Sequence, residues 1–143
     1  MRFVRLFLLA LLILATPRSA GAQSAGNLYL LNCWGCHGSR GEGIKDTAPP
    51  LIGLGDFLKA EGGRAYIIEV PGVSLSALTD AQIATVMNWV LDNMSKDHLP
   101  HDFSPYTADE VHRYRATRLA ELSKTRRDLL YQLVAMKIRA SAD

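Results

Sequence analysis

The two cysteines of the chain are separated by two residues and followed directly by a histidine, in the run Cys33-Trp34-Gly35-Cys36-His37. This spacing is the attachment signature of c-type haem, because two thiols one helical turn apart can each form a thioether with a vinyl group of the porphyrin. The adjacent imidazole then serves as the proximal iron ligand. The motif therefore predicts one covalent haem c, with Cys33 and Cys36 as the attachment residues and His37 on the iron.

The same cysteine spacing has an alternative interpretation. An exported Cys-x-x-Cys pair can also act as a redox dithiol or close a structural disulfide. A dithiol of the thioredoxin type opens a helix after a β-strand, and no strand pattern precedes Cys33. Haem attachment is therefore the interpretation that the motif favours.

The first 22 residues predict export. Arg2 and Arg5 precede an uninterrupted apolar run over residues 6–15, and residues 20–22 (AGA) form a cleavage site before Gln23. The apolar run is too short to span a bilayer, so residues 1–22 are interpreted as a signal peptide, with a retained anchor as the alternative. Because covalent haem attachment takes place outside the bacterial cytoplasm, we expect a periplasmic or secreted protein with no transmembrane span after cleavage.

The charge of the mature chain is nearly balanced but unevenly placed. Without residues 1–22 the chain holds 13 basic and 14 acidic residues. Residues 23–111 carry 5 basic and 11 acidic side chains, whereas residues 112–143 carry 8 basic and 3 acidic ones. This balance excludes a strongly basic nucleic-acid-binding protein, so no nucleic-acid partner is expected. The length fits one small domain plus an extension.

Turn and cap signals divide the mature chain into short helical pieces. A short helix leads to Cys33, residues 38–43 are turn-rich, and two prolines at 49 and 50 exclude helix there. Residues 56–61 are expected to form a short helix stopped by two glycines, residues 64–70 a helical or extended piece, and residues 71–77 a loop. These signals predict an all-α fold.

The clearest helix begins at Thr79, where Gln82 completes a capping box. Its apolar residues recur on one face: Ile83, Val86, Met87, Val90, Leu91 and Met94. The helix is expected to end near residues 93–95. A second capping box, Thr107 with Glu110, opens a helical tail that is predicted to run through much of the remaining chain.

Residues 24–94 resemble the class I, monohaem cytochromes c, a family of small all-α domains. The likeness rests on a short helix with Gly26 and Tyr29, the cysteine–histidine motif at 33–37, the proline loop at 49–53, and an aromatic residue, Trp89, on the last helix. These features occur in the order and at the spacing of the family.

The resemblance implies about three to four helices around one haem. In the family the first and last helices cross with glycine against an aromatic ring, so Gly26 is expected to meet Trp89. The loop proline's carbonyl accepts the Nδ1–H of the proximal histidine, which implies that Pro49 orients His37. We accordingly expect a signal peptide over 1–22, a cytochrome c domain over 23–97, and a loop with a helical extension over 98–143.

The family's usual distal ligand is a methionine in the loop before the last helix, and residues 71–77 (PGVSLSA) contain none. When the last helix is aligned with that of the family at the aromatic residue Trp89, the expected methionine falls near Val73, which cannot ligate iron. By the same register Val86 faces the haem. The other distal candidates are Met87, Met94, His98 and His101. Methionines at helical spacing usually pack in the core and loop histidines are usually solvated, so we favour an open or water-bound sixth position, or a ligand outside this set.

The extension over 98–143 has an apolar face with basic side chains around it. The apolar residues are Leu129, Leu130, Leu133, Val134 and Ile138. The extension either packs on its own domain, as most amphipathic helices do, or presents this face to a partner protein or an anionic membrane. Residues 70–73 and 102–107 more weakly resemble small cytochromes c with unusual iron ligation, some of them heterodimers. A heterodimer or complex formed through the extension is therefore a further hypothesis.

Two functions are consistent with these observations. The first is a periplasmic electron carrier that passes single electrons to redox partner proteins, alone or as a subunit of an oxidoreductase complex, and is not itself an enzyme. The alternative is a haem protein that binds or senses a small gas at an open or weakly ligated sixth iron position. The missing loop methionine favours the alternative, and the lack of an evident distal acid–base pair argues against peroxidase chemistry. Electron transfer is the function that we favour.

Overall fold

The computed structural model describes residues 23–117 and 119–136. The predicted signal peptide (1–22) and the tail residue Ile138 lie outside the described residues. Seven α-helices and two 3₁₀-helices follow one another in the described part of the chain: α1 (Ala25–Asn32), α2 (Trp34–His37), a first 3₁₀-helix (Leu54–Lys59), α3 (Gly63–Glu69), α4 (Pro71–Ser74), α5 (Asp80–Met94), a second 3₁₀-helix (Lys96–His98), α6 (Ala108–Arg115) and α7 (Leu122–Ala135). Apart from one isolated bridge between Ile44 and Ala48, the regular structure of the described residues is helical, which confirms the all-α prediction.

Helices α1 and α5 cross, as the family resemblance implies. A Cβ atom built on Gly26 would lie 3.8 Å from Cζ2 of Trp89, an ordinary contact distance. The Tyr29 and Trp89 ring centroids are 5.2 Å apart. Gly26 therefore faces the indole of α5, at a distance that would also accommodate a Cβ atom.

Helix α5 is specified by its own sequence. The Thr79 side chain accepts a hydrogen bond from the Gln82 backbone N–H, and the Gln82 side chain accepts one from the Thr79 backbone N–H, so the predicted capping box is confirmed. The helix ends at Met94, within the expected range. Its apolar face contributes six buried residues to the core: Ile83, Ala84, Val86, Met87, Val90 and Leu91.

Three expectations about the middle of the chain need correction. The short helix expected over 56–61 is a 3₁₀-helix over Leu54–Lys59. The two glycines do not act together as a stop, since Gly62 has a φ of 81° and α3 begins at Gly63. Part of the expected loop over 71–77 is helical, because Pro71 begins α4 and the Val70 carbonyl accepts hydrogen bonds from the N–H groups of Val73 and Ser74.

The extension packs on the rest of the chain. Its segment before α6 is held by a two-way contact in which Asn88 Nδ2 donates to the Tyr106 carbonyl and the Tyr106 N–H donates to Asn88 Oδ1, at 2.9 and 2.8 Å. Val111 of α6 is fully buried. The structure therefore supports self-packing for α6 and α7.

Within its described residues, up to position 136, the tail forms two helices and not one long one. Residues 116, 117 and 119–121 lie between α6 and α7 and belong to neither helix. Leu129 and Leu133 of α7 are buried as the apolar stripe predicts, but Val134 is 69% exposed, so its place on the packed face is wrong. Residue 134 follows 133 by one position and is rotated by about 100° around the helix, away from the core.

Candidate haem site

A single turn of helix positions the cysteine–histidine motif. Cys33 is the C-cap residue of α1 and the N-cap residue of α2. Its carbonyl accepts a hydrogen bond from the His37 N–H at 3.0 Å. The Tyr29 hydroxyl donates to the Gly38 carbonyl at 2.6 Å and so ties the end of this turn back to α1. Burial, followed by the nearby Cys33 and Glu42, raises the pKa of Tyr29 to about 12, which keeps the phenol protonated as a donor.

His37 is oriented by a carbonyl on the opposite side of a loop. Its Nδ1 lies 2.9 Å from the carbonyl oxygen of Pro49, twelve residues along the chain. A carbonyl oxygen only accepts hydrogen bonds, so Nδ1–H is the donor, and in the neutral imidazole the lone pair is on Nε2. The nitrogen left for a metal is therefore Nε2. This is the contact that the family resemblance implies.

Backbone hydrogen bonds hold Pro49 in place. Ile44 and Ala48 exchange two hydrogen bonds of 2.9 Å, and the Leu51 N–H donates to the Gly41 carbonyl at 2.7 Å. Gly43 has a φ of 73°, and a Cβ there would lie 2.5 Å from the Ala48 carbonyl oxygen. The loop can close over the motif because this position has no side chain.

A cavity of about 190 Å³ lies beside the motif. Cys33, Cys36, His37 and Pro49 line one part of it. The remaining lining is predominantly apolar and comes from the end of α1, the loop after Pro49, the first 3₁₀-helix, and the segment from α3 to α4, together with α5 and one residue, Arg126, from α7. Arg126 lies three and seven positions before the buried Leu129 and Leu133, so the helical spacing of the sequence places it on the same helix face.

Three residues near the start of α4 form the wall where the family resemblance puts the distal ligand. Val70, Gly72 and Val73 line the cavity there, and none of them carries a side chain that can ligate iron. Val73 is the position at which the register on Trp89 expects the missing methionine. The same register predicts that Val86 faces the haem. This prediction is wrong, because Val86 is not among the described lining residues of the cavity, whereas Met87 and Val90 are.

The four distal candidates lie in different places. Met87 is buried and lines the cavity. Met94 packs against Gly41, where a built Cβ would lie 2.8 Å from the methionine sulfur. His98 Nδ1 is 2.8 Å from Oδ2 of the buried Asp56, and His101 is exposed; neither is among the described lining residues. Of these candidates the structure brings only Met87 to the cavity.

Cys33 and Cys36 form no disulfide with each other, and the environment of Cys33 disfavours a redox dithiol. Burial, with a smaller contribution from Cys36, raises the pKa of the Cys33 thiol. Reactive dithiols need the opposite shift, since the thiolate is the nucleophile. The preceding element is a helix, α1, whereas a thioredoxin-type site follows a strand.

The described donors and lining fit a haem. Two free thiols one turn apart, an imidazole with Nε2 available, and an adjoining apolar cavity supply the attachment atoms, the iron ligand and the water-excluding surface that this group needs. When bound, haem supplies an iron that takes up and releases one electron. The chain's part is to hold the cofactor, to fix the imidazole through Pro49 and to shield it from water.

Comparison with known proteins agrees with this site. No protein-family model matches the chain. The chain is 34% identical over 117 residues to a cytochrome c-552 of Thermus thermophilus, a match that covers 68% of this chain and 79% of that protein. A second cytochrome c-552 of Thermus thermophilus is 34% identical over 116 residues, covering 68% of this chain and 88% of that protein. No helix among residues 23–117 and 119–136 is long and apolar enough to cross a bilayer. The chain belongs to the class I c-type cytochromes, the haem-bearing electron carriers, and carries covalently bound haem c.

Proposed function

We propose that this chain is an exported electron carrier whose one haem c is attached through Cys33 and Cys36 and ligated by His37. The observation that supports it most directly is the 2.9 Å contact between His37 Nδ1 and the Pro49 carbonyl, which occupies Nδ1 and leaves Nε2 as the nitrogen available to a metal. An electron carrier needs a cofactor that stays bound while partners exchange, and thioether attachment provides this.

The attachment is tested by haem staining after a denaturing gel. Wild-type protein matured in a competent host is expected to stain, the single variants Cys33→Ala and Cys36→Ala to stain weakly or not at all, and the double variant to be negative, because only thioether bonds survive denaturation. His37→Ala is expected to stain more weakly than wild type, and His101→Ala, which removes an exposed imidazole that is not among the described lining residues, is the control and is expected to stain like wild type. A stain-negative wild type would contradict the proposal.

Export is tested on the mature N-terminus. Cleavage of residues 1–22 is expected to leave Gln23 as the first residue in the periplasmic fraction, as read by intact mass. A chain that retains its first 22 residues in the membrane fraction would support the anchor alternative instead.

Electron transfer is tested by potentiometry. The haem is expected to titrate reversibly as a one-electron couple and to exchange electrons with soluble periplasmic redox proteins, without turning over a substrate of its own.

The division into a haem domain over 23–97 and an extension over 98–143 is part of this proposal. That the extension also joins the chain to a partner subunit or oxidoreductase complex stays a prediction.

A second candidate function, gas binding at the sixth iron position, is favoured by the donor-free wall of Val70, Gly72 and Val73. If the position is open, ferrous protein is expected to bind carbon monoxide readily and ferric protein to lack the near-red band of iron–methionine bonding. Met87→Leu is the discriminating variant, because Met87 is the distal candidate that lines the cavity. A near-red band in wild type that disappears in Met87→Leu, but persists in Met94→Leu, would establish methionine ligation and remove this candidate.

A further inference from the structure

The carboxylate of Glu42 is folded back into the loop that follows His37. Its Oε2 accepts a hydrogen bond from the Arg40 backbone N–H at 2.8 Å. It also lies against the backbone of Gly38, where a built Cβ atom would lie 2.5 Å from the same oxygen. Gly38 has a φ of 75°, and a side chain there could not share this space with the carboxylate. The exposed Glu42 is therefore packed against the first residue after the proximal histidine.

The backbone around Glu42 holds its side chain as an anion. Hydrogen bonds from backbone N–H groups, first its own and then that of Arg40, lower the pKa of the Glu42 carboxyl. Backbone N–H groups that converge on one carboxylate form an anion-binding concavity, and here the chain fills the concavity with its own side chain. The conformation of the loop over 38–43 is therefore set by an ionised group as well as by its glycines.

The residues on either side of this glutamate fix the two sides of the proximal contact. The Gly43 N–H donates to the His37 carbonyl at 2.9 Å. The Gly41 carbonyl accepts the N–H of Leu51, two residues after Pro49, at 2.7 Å. The position of the Pro49 carbonyl relative to the His37 ring consequently depends on the conformation of the loop that the glutamate folds.

We propose that Glu42 is a positioning residue of the haem site, whose carboxylate holds the loop in the conformation that keeps the Pro49 carbonyl on the Nδ1–H of His37. This inference rests on the proposed haem attachment and on His37 as the iron ligand.

The role of Glu42 has an expected electrochemical effect. The hydrogen bond from Nδ1–H to the Pro49 carbonyl makes the imidazole of His37 a stronger electron donor to a metal. A stronger donor stabilises ferric iron relative to ferrous iron. Glu42 is therefore expected to lower the midpoint potential through a hydrogen bond in which it takes no part itself.

The experiment compares wild type with Glu42→Ala, Glu42→Gln and the control Asp46→Asn, all as full-length, matured protein. Asp46 is exposed and lies outside residues 38–43, and asparagine tolerates the φ of 61° found there, so the control removes an equal charge and leaves the loop intact. Two properties are measured: the rate at which the His37 Nδ1–H exchanges with solvent, by NMR of the ferrous protein, and the midpoint potential at low and high salt. The backbone N–H groups of α5 are the internal reference for global opening.

Glu42→Ala is expected to raise the exchange rate of the His37 Nδ1–H by about five- to twentyfold relative to α5, as for the loss of one hydrogen bond to a charged acceptor. Its midpoint potential is expected to rise and to stay raised at high salt, because salt does not screen a change in imidazole donation. Glu42→Gln keeps an acceptor oxygen for the Arg40 N–H, so its exchange rate is expected to lie between those of wild type and Glu42→Ala. Asp46→Asn is expected to exchange like wild type, and any shift of its potential is expected to disappear at high salt.

Several outcomes would overturn the assignment. One is a wild-type exchange rate in Glu42→Ala. Another is a potential in Glu42→Ala that returns to the wild-type value at high salt, or an equal shift in Asp46→Asn, since either would indicate a general surface-charge effect. If Glu42→Ala does not accumulate, Glu42→Gln decides, and a wild-type exchange rate there overturns the proposal. Haem staining of the same samples separates the two levels: a stain-negative wild type defeats the proposed haem attachment, whereas stained proteins with identical exchange rates defeat only the role of Glu42.

Discussion

The Arg64 guanidinium on α3 forms a two-point ion pair with the Glu110 carboxylate on α6, with Nη2 2.8 Å from Oε2. Arg64 also holds the segment before α6, since its Nη1 donates to the Ser104 carbonyl and its own carbonyl accepts the Tyr106 hydroxyl, at 2.9 and 2.8 Å. Its guanidinium lies over the Tyr106 ring, 4.2 Å from the centroid. Arg64 lies before the extension in sequence and therefore holds three residues within the extension: Ser104, Tyr106 and Glu110.

We expect Glu110→Gln to lower the free energy of unfolding by about 1–2 kcal/mol at neutral pH, because the ion pair with Arg64 is partly buried. The hydrogen bond from Arg64 holds the pKa of the Glu110 carboxyl below its ordinary value, so this stabilisation is present above the unfolded pKa and is lost as pH falls through the folded pKa.

Denaturant midpoints measured across pH test this expectation. The difference between wild type and Glu110→Gln should be full above about pH 4.3, the ordinary glutamate pKa, and shrink in more acidic solution. The exposed neighbour Asp109 supplies the control, Asp109→Asn. A difference that grows on acidification would contradict the ion-pair explanation.

The anchoring of α7 is tested by a neighbouring pair of truncations. Leu133 is fully buried, so Leu133→Ala is expected to cost about 2–4 kcal/mol in the free energy of unfolding. Val134 is 69% exposed, and Val134→Ala is expected to cost well under about 1 kcal/mol. Thermal melts of the two holoproteins measure the contrast. Equal melting temperatures would show that α7 does not pack on the rest of the chain in solution.

Two glycines are expected to respond oppositely to alanine. A Cβ on Gly63 would lie 1.7 Å from the Phe57 carbonyl oxygen, so backbone must move, and we expect a loss of stability of about 1–3 kcal/mol or more. A Cβ on Gly26 meets Trp89 at an ordinary 3.8 Å, and alanine there removes the entropic cost of a helical glycine. Gly26→Ala is therefore expected to keep or raise the melting temperature, and a clear fall would show that the helix crossing is tighter than described.

Arg115 of α6 holds the chain that follows α4. Its guanidinium donates to the carbonyls of Ser74, Ser76 and Leu78 and pairs with Asp80 Oδ1 at 2.8 Å. We expect Arg115→Met to lower the free energy of unfolding by about 1–3 kcal/mol, since several carbonyls lose a charged donor together.

Arg115→Met is also expected to alter the distal side of the haem site. The segment that loses its hydrogen bonds to Arg115 directly follows Val73, which is part of the cavity wall on that side. Flash photolysis of the ferrous protein should show faster rebinding of carbon monoxide in Arg115→Met, with haem attachment unchanged. The exposed Arg113 provides the control Arg113→Met, which should rebind at the wild-type rate. Identical rates in both variants would mean that the segment stays in place without Arg115.

The parts of the molecule that the sequence by itself determined are those in which chemistry or periodicity is local. The motif at 33–37 needs only its own spacing to present two thiols and an imidazole on one turn. The capping box at Thr79 and the apolar stripe behind it sufficed to predict α5 to its last turn. The contact between His37 and Pro49 was accessible through the family resemblance, because the two residues lie in one short loop.

Only the tertiary structure decided which residues that are far apart in sequence come into contact. Arg64 and Glu110 are 46 positions apart, and Ser74 and Arg115 are 41 apart, so no local pattern joins them. Which residues of the α5 stripe reach the cavity depends on how the helix is rotated against α1, and that rotation placed Met87 there and Val86 elsewhere in the core. The position of Arg126 follows from the burial of Leu129 and Leu133, because docking an amphipathic helix fixes every side chain on its inner face at once.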